Sequence, residues 1–413
     1  MDMLSFLDFY TATPKYTHTP GLDVIKTLLT RLGNPQAGLR CIHIAGTNGK
    51  GSCAAMTASV LQAAGYRTGL FTSPDLVTMA ERIRINGVNI TLSDFADITT
   101  RVKAACQMLS EPSYFEKITA AAFLYFAEQG CDYVVLETGL GGRLDATNII
   151  ESPACSVIMP IGFDHTGVLG DTLSAIAGEK ADILKPGCPA VCAPQESDAL
   201  TIIQNVAAEK GAALHLVDIK KIADCSHSPA GQEFSYGSLK NIQLSLLGRH
   251  QIQNACAVIE ITRILGIDEA AIRAGLKAAQ WPCRFEFFPD TPAFLLDGAH
   301  NAHGASALAA GLREYFPGQK FTMVMGVMAD KDYTDILALM EPLATRFITL
   351  APNSPRAMPP AELAAMVKTV PATAADSIGE AVALARAYGD PVCAFGSLYY
   401  IGTVRALLTE EAP

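Results

Sequence analysis

No run of about 18 consecutive apolar residues occurs anywhere in the chain, and stretches such as Ile118–Ala127 are too short for the roughly 20 residues that cross a bilayer. The start, Met1-Asp2-Met3, carries no basic segment and no cleavage signature, so the expectation is a soluble, cytoplasmic protein. Eleven cysteines are scattered through 413 residues without one C-x-x-C pair; the closest two are Cys188 and Cys192. That excludes a zinc knuckle and a disulfide framework, and reads as reduced, mostly buried thiols. Charge is also scarce, at 17% of residues with a net −10, which excludes a general nucleic-acid surface. An anionic substrate would need local positive charge from loops, helix ends or a metal. Low-complexity tracts and internal repeats are missing. Half the residues are hydrophobic, enough for a large core, and the length suggests two or three domains.

The stretch Gly46-Thr47-Asn48-Gly49-Lys50-Gly51-Ser52 organises the rest. It follows the apolar run Cys41–Ala45 and precedes a small-residue helical pattern, Ser52–Ala64. Strand, glycine-rich turn and helix start together make a phosphate cradle: glycines admit the anion, backbone N–H groups face it, and the helix dipole favours negative charge. Lys50 would reach the terminal phosphates and Ser52 a magnesium ion. The strict G-x-x-x-x-G-K-[ST] pattern does not fit, because Ile44 stands where its first glycine belongs and Gly51 displaces the hydroxyl by one. A ligand-free glycine turn is the plainer alternative.

Polar residues recur at the ends of the following strands. Arg67–Phe71 leads into Thr72-Ser73-Pro74-Asp75, where Ser73 is either a metal-reaching hydroxyl or an ordinary turn residue. Arg82–Gly87 reads as a small hairpin with an Asn-Gly turn. Asp132–Leu136 ends at Glu137, either a magnesium carboxylate or a cap. The next residues, Thr138–Arg143, fail the G-x-G-x-x-G fingerprint because Leu144 stands at its last glycine. Cys155–Pro160 ends near Asp164-His165, and the helix Leu173–Leu184 carries Lys180, ordinarily a solvated charge. Residues 213–247 read as short antiparallel strands, and Trp281–Phe285 as a junction. A fresh strand–helix alternation then begins with Ala293–Leu296 and Asp297–Asn301 and runs to a last helix at 397–409. The expected fold class is α/β: an N-terminal P-loop-type parallel-sheet domain with a small antiparallel sheet (1–283), and a C-terminal Rossmann-like domain (284–413).

The chain resembles folylpolyglutamate synthase, often bifunctional in bacteria with dihydrofolate synthase and related to the Mur ligases. Nine ordered blocks carry the resemblance: Leu32–Gln36 with Ile44–Ser52, Thr72–Val77, Glu137–Asn148, Asp164-His165, Glu179–Pro186, His250–Asn254, Asp297–Asn301, Gly326–Tyr333 and Gly396–Tyr399. The resemblance implies that Gly46, Thr47, Asn48, Gly49, Lys50, Gly51 and Ser52 bind the ATP phosphates. It implies that Ser52, Ser73, Glu137 and His165 serve Mg2+, with K+ a further candidate cation. Lys180 matches a lysine that such ligases carry as a carbamate, which would turn a cation into a metal-binding carboxylate. Asn254, Arg284 and Asp297 match nucleotide contacts made from two domains, and His300 and Ser397 match positions linked to incoming L-glutamate. Phe115, Glu116 and Asp145 fall in the pterin region. Lys50, Lys180 and His300 are thereby the catalytic candidates. The implied partners are small molecules, a folate or dihydropteroate and L-glutamate, acted on by a monomer.

Three positions depart from the family pattern: Asp75 where histidine is common, Lys117 where an apolar residue is usual, and the small Gly178. Two other readings stay open. A Mur-type ligase acting on a UDP-sugar peptide would need a separate UDP-binding domain, and the ATP loop here already begins at residue 46. A non-catalytic ATP-binding paralogue is compatible with Asp75. A guanine-nucleotide switch is not favoured, since no Asn-Lys-x-Asp motif is present.

Overall fold

A computed structural model describes residues 9–10, 21–109, 112–329 and 333–409. The reading of Met1–Met3 and the 330–332 part of the Gly326–Tyr333 block lie outside them. The chain divides into two compact units. One gathers Met1–Ala223, Tyr236–Ile242 and Gln253–Ala279; the other gathers Asp224–Ser235, Gln243–Ile252 and Gln280–Pro413. No described helix is long and apolar enough to cross a membrane.

The first unit is built on an eight-stranded sheet. Its strands are β1 (Cys41–Ala45), β2 (Thr68–Phe71), β3 (Ile83–Ile85), β4 (Val88–Asn89), β5 (Tyr133–Glu137), β6 (Cys155–Ile158), β7 (Pro189–Cys192) and β8 (Ala213–Leu216). The order is β4-β3-β2-β5-β1-β6-β7-β8. Strands β2, β5, β1, β6, β7 and β8 run parallel, and β3 and β4 close one edge as the expected hairpin, with Asn86 and Gly87 both left-handed at its turn. All five residues of β1 and of β5 are buried, as continuous apolar runs covered on both faces should be. After β1 the chain moves to one side of it for β2 and β5, then to the other for β6. The carboxyl end of β1 is thus a switch point, where open α/β sheets hold their ligands. One expectation is corrected here: 213–216 is not antiparallel. Strand β8 extends the large sheet parallel to β7, a pairing that a four-residue segment cannot disclose from its own pattern. The antiparallel part is confined to β9 (Ile222–Ser228), β10 (Gly231–Tyr236) and β11 (Leu239–Leu244).

The helix Lys50–Ala63 is hydrophobic nearly all round, with Cys53, Ala54, Met56, Val60 and Leu61 fully buried. Its small residues admit the helix Glu269–Ala278 at very close range. A Cβ on Gly275 would lie 2.3 Å from Val60 Cα, and Ser59 Oγ donates to Gly275 O at 2.7 Å.

The second unit contains β12 (Glu286–Phe288), β13 (Phe294–Leu296), β14 (Phe321–Met325), β15 (Ala344–Thr349), β16 (Ala372–Ala374) and β17 (Val392–Phe395), ordered β12-β13-β17-β14-β15-β16. All neighbours are parallel except the β12–β13 edge. The α/β class with a small antiparallel sheet and a Rossmann-like second part is borne out. Tyr315 ties three segments of this unit together. Its hydroxyl donates to Gln232 Oε1 at 3.0 Å and accepts from Gly248 N at 3.1 Å.

Candidate functional site

At the carboxyl end of β1 the backbone turns through Gly46 (φ 151°) and Gly49 (φ 82°) into the helix that starts at Lys50. Side chains are excluded at both. A Cβ on Gly46 would meet that of Met159 at 2.6 Å, and one on Gly49 would meet Asn254 Oδ1 at 2.7 Å. Asn254 is therefore brought against the loop, within the first unit. The Thr47 and Asn48 amides both donate to Pro160 O, and Thr47 Oγ1 exchanges hydrogen bonds with Gly162. The loop is thus fastened to the segment that follows β6. First-turn amides of the helix have no intrahelical acceptor and point along its positive end.

Two lysines converge on one carbonyl. Lys50 Nζ donates to Gly46 O at 3.0 Å and Thr47 O at 3.2 Å, and Lys180 Nζ donates to the same Gly46 O at 2.8 Å. Lys180 is not a solvated surface charge: it is 5% exposed. Burial, reinforced by the Lys50 ammonium, lowers its pKa to about 7. Glu137, buried at the end of β5, accepts from Ser73 N at 3.0 Å, so these two predicted residues meet. Ser52 is buried in the first helical turn. His165 has left-handed backbone and a half-exposed ring 3.9 Å from Asp164 Oδ1.

The pterin-region candidates all belong to the first unit. The Phe115 ring lies over Gly139, where a Cβ would come within 2.5 Å of it. Glu116 is committed locally: its Oε2 accepts from Ser113 N and Oγ in a capping box that starts the helix Tyr114–Glu128. Asp145 is also deeply engaged, accepting at both oxygens from Gly139 N, Leu140 N, Thr147 N and Thr147 Oγ1. Burial pushes its carboxyl upward while these hydrogen bonds pull it down. Two of the departures have structural partners. Lys117 is buried, donates to Phe9 O and lies 4.6 Å from the Phe9 ring. Asp75 Oδ1 takes two donors from Arg82, whose guanidinium also faces the Tyr114 ring at 5.3 Å. For Gly178 the helix offers open space and no evident reason.

In the second unit Asp297 follows β13, with its carboxylate held by Phe285 N and Ala299 N at 2.8 Å each. Burial raises its pKa against the pull of Arg284. Arg284 lies close enough that a Cβ on Gly298 would strike its guanidinium at 2.5 Å. His300 Nδ1 sits 2.8 Å from Gly298 O. A carbonyl only accepts, so Nδ1 carries a proton in this bond. Ser397, buried beyond β17, accepts from Tyr399 N. Arg284, Asp297, His300 and Ser397 thus share the carboxyl end of the adjacent strands β13 and β17. Nothing in the sequence pattern singled out Thr147, which donates twice to Asp145, or His43, which bonds Thr147. The available signal was Asp145-Ala146-Thr147, the spacing of an Asx turn.

The arrangement defines a class. The Mur ligase middle domain matches residues 44–262, and the Mur ligase glutamate ligase domain matches residues 283–398. The chain is 35% identical over 426 aligned residues to the folylpolyglutamate synthase of Lacticaseibacillus casei, covering 97% of this chain and 98% of that one. It is 39% identical over 360 residues to the dihydrofolate synthase/folylpolyglutamate synthase of Bacillus subtilis, covering 83% and 84%. The crystal structure of Mycobacterium tuberculosis folylpolyglutamate synthase complexed with ADP and AMPPCP superposes with a TM-score of 0.92 at 30% identity, covering 100% of this chain and 99% of that one. E. coli FolC in complex with DHPP and ADP gives 0.88 at 29% identity, covering 99% and 98%. The chain belongs to the folylpolyglutamate synthase/dihydrofolate synthase family of Mur-type ligases.

Proposed function

We propose that this chain is an ATP-dependent carboxylate–amine ligase that adds L-glutamate to tetrahydrofolate-type acceptors and to 7,8-dihydropteroate. The observation that carries the reading is the convergence of Lys50 and Lys180 on the Gly46 carbonyl, just past β1, with Glu137 and Ser73 meeting at the end of the adjacent β5. A carboxylate does not react with an amine at neutral pH. Transfer of the γ-phosphoryl group of ATP to a carboxylate oxygen releases ADP and gives an acyl phosphate. The glutamate amine then displaces phosphate and forms the amide. The chain's task is to hold two anions together and stabilise the charge spread between them.

Lys50 and the helix-start amides would take the phosphates, with Asn254 beside Gly49 as a nucleotide contact. Arg284 and Asp297 are the nucleotide contacts proposed on the second unit, and Ser397 and His300 serve the glutamate. The His300 ring, oriented by Gly298 O, would accept the amine's proton at Nε2. Phe115, Glu116 and Asp145 surround the acceptor. The family implies Mg2+. Among the described residues no group of three or more His, Cys, Asp or Glu is placed to hold a metal. A lone carboxylate with hydroxyls suits magnesium, which needs few protein oxygens and completes its shell with phosphates and water. Glu137, Ser52, Ser73, His165 and carbamylated Lys180 would hold it, and when bound it supplies neutralisation of phosphate charge. Lys180 is suited to carbamylation because carbon dioxide adds to a neutral amine, and burial favours that form. K+ is proposed as a further candidate cation.

ATP binding is proposed for the segment 1–283 and glutamate ligation for 284–413, in a cytoplasmic monomer. The test is an ADP-release assay with dihydropteroate and with a reduced folate, each with and without glutamate. Release is expected only when acceptor and glutamate are both present. Equal steady ADP release without glutamate would overturn the reading. In a thermal-shift panel, stabilisation by UDP-sugars in place of pterins would favour a Mur-type acceptor.

A further inference from the structure

A buried chain of hydrogen bonds runs from the centre of the large sheet into the proposed acceptor region. It begins at His43 on β1, fully buried, whose Nε2 lies 2.8 Å from Thr147 Oγ1. Thr147, also fully buried, donates from Oγ1 to Asp145 Oδ1 at 2.6 Å. Asp145 Oδ1 also accepts from Thr147 N at 3.0 Å, and Oδ2 from Gly139 N at 2.9 Å and Leu140 N at 2.8 Å.

The direction of each bond follows from counting protons. Asp145 accepts four hydrogen bonds, three from backbone N–H groups and one from the Thr147 hydroxyl, so its acceptor positions are spent within the chain. The Thr147 hydroxyl has one proton and gives it to Asp145. Towards His43 it can then only accept, so His43 carries its proton on Nε2. The opposite nitrogen, Nδ1, is buried without a hydrogen-bond partner, and in this tautomer it carries a lone pair and no proton. Burial and the Lys185 ammonium keep the ring neutral.

The loop held in this way touches the parts of the site assigned above. Its Gly139 lies under the Phe115 ring. At its far end a Cβ on Gly142 would strike Glu179 O at 2.7 Å and Lys180 Cα at 3.0 Å, and Arg143 N donates to Glu179 O at 2.8 Å. Loosening Asp145 therefore frees the support of Phe115 on one side and the packing against the Lys180 helix on the other.

We infer that His43 and Thr147 are positioning residues for the acceptor, acting through Asp145 as a buried latch that fixes the Gly139–Arg143 loop under Phe115. The inference rests on the folate-ligase reading for its kinetic consequences, but its tautomer is independent of it. Thr147→Val removes the hydroxyl at nearly constant volume, and Thr147→Ser restores it. His43→Leu removes the donor, and His43→Gln keeps an N–H at similar reach. Thr147→Val and His43→Leu should each raise the KM for the folate-type acceptor about tenfold, with the KM for ATP moving less than about twofold; Thr147→Ser and His43→Gln should stay near wild type. Equal KM shifts for ATP and acceptor, or identical behaviour of the Val and Ser variants, would overturn the latch. Nitrogen-15 NMR of histidine-labelled protein should show the His43 proton on Nε2, with the signal changed in Thr147→Val. A proton on Nδ1 would overturn the inference whether or not the protein turns over folates. Absence of turnover with every folate acceptor would instead strike the ligase reading, and the NMR result would still decide the latch.

Discussion

Replacing Gly275 by alanine sets two effects of opposite sign against each other. Gly275 lies inside a helix, where alanine is favoured over glycine by about 1 kcal/mol. The added Cβ would lie 2.3 Å from Val60 Cα and 2.6 Å from Val60 N. Both are backbone atoms, so no side-chain rotation relieves the clash. Carbon atoms rest about 3.5 Å apart or more, so the two helices would have to separate by about 1.2 Å. Overpacking of this kind costs about 1–3 kcal/mol, and the Ser59–Gly275 hydrogen bond in the same contact is worth about 1 kcal/mol more. The clash outweighs the propensity gain, and a net loss of about 1–3 kcal/mol is expected. Gly178→Ala is the control. That helical glycine has nothing within 4 Å of the new methyl, so only the propensity term remains, a gain of about 0.5–1 kcal/mol. Urea unfolding followed by circular dichroism would compare the two. Because the displaced helix begins at Lys50, Gly275→Ala should also raise the KM for ATP more than that for the acceptor. A Gly275→Ala protein as stable as wild type would refute the argument, since it would show that the helices separate at negligible cost.

Other expectations concern buried and capping groups. His43 titrates near 3 in the folded chain, chiefly because of burial, whereas the unfolded chain takes up its proton near the ordinary 6.5. Below that value the unfolded state binds more protons, so stability falls as pH falls, by up to about 1.4 kcal/mol per pH unit, levelling off near pH 3. Urea midpoints at pH 7 and 5 should show the decline, and His43→Gln should flatten it; an unchanged slope would refute the assignment. Ser113→Ala should lower stability by about 1 kcal/mol through loss of the capping box, measured by thermal unfolding. Lys180→Ala should abolish ligase turnover, with formate or acetate restoring part of it; full activity in the untreated variant would rule out the carbamate.

Much of this structure is legible in local pattern. Continuous apolar runs such as Cys41–Ala45 and Asp132–Leu136 mark buried parallel strands, and their polar termini mark the ligand edge. The Asn86-Gly87 turn fixes its hairpin because it supplies two left-handed residues in succession. What local pattern cannot carry is partnership across distance. Ala213–Leu216 is too short to reveal that its neighbour is β7. Lys180 reads as a surface charge until the fold delivers it to Gly46 O, 134 residues away. Lys117 and Asp75 are unusual as single letters and ordinary once Phe9 and Arg82 are seen against them. Glu116 is the opposite case. Ser113-Pro-free spacing to Glu116 already spells a capping box, a local signal that a family-based role obscures.

The way the chain is shared between the two units bears on how it is made. The second unit includes Asp224–Ser235 and Gln243–Ile252 as well as Gln280 onward, and Tyr315 bonds to both early segments through Gln232 and Gly248. The first unit likewise waits for Gln253–Ala279, whose Gly275 packs against the phosphate-loop helix. A ribosome that has released residue 223 has therefore delivered the whole large sheet without the helix that packs on Ser59 and Val60 of the phosphate-loop helix. Two hairpin strands meanwhile hang unfinished until Tyr315 emerges. Nascent chains stalled between these points should resist proteolysis poorly, and cutting the gene at residue 283 would divide the second unit instead of isolating it.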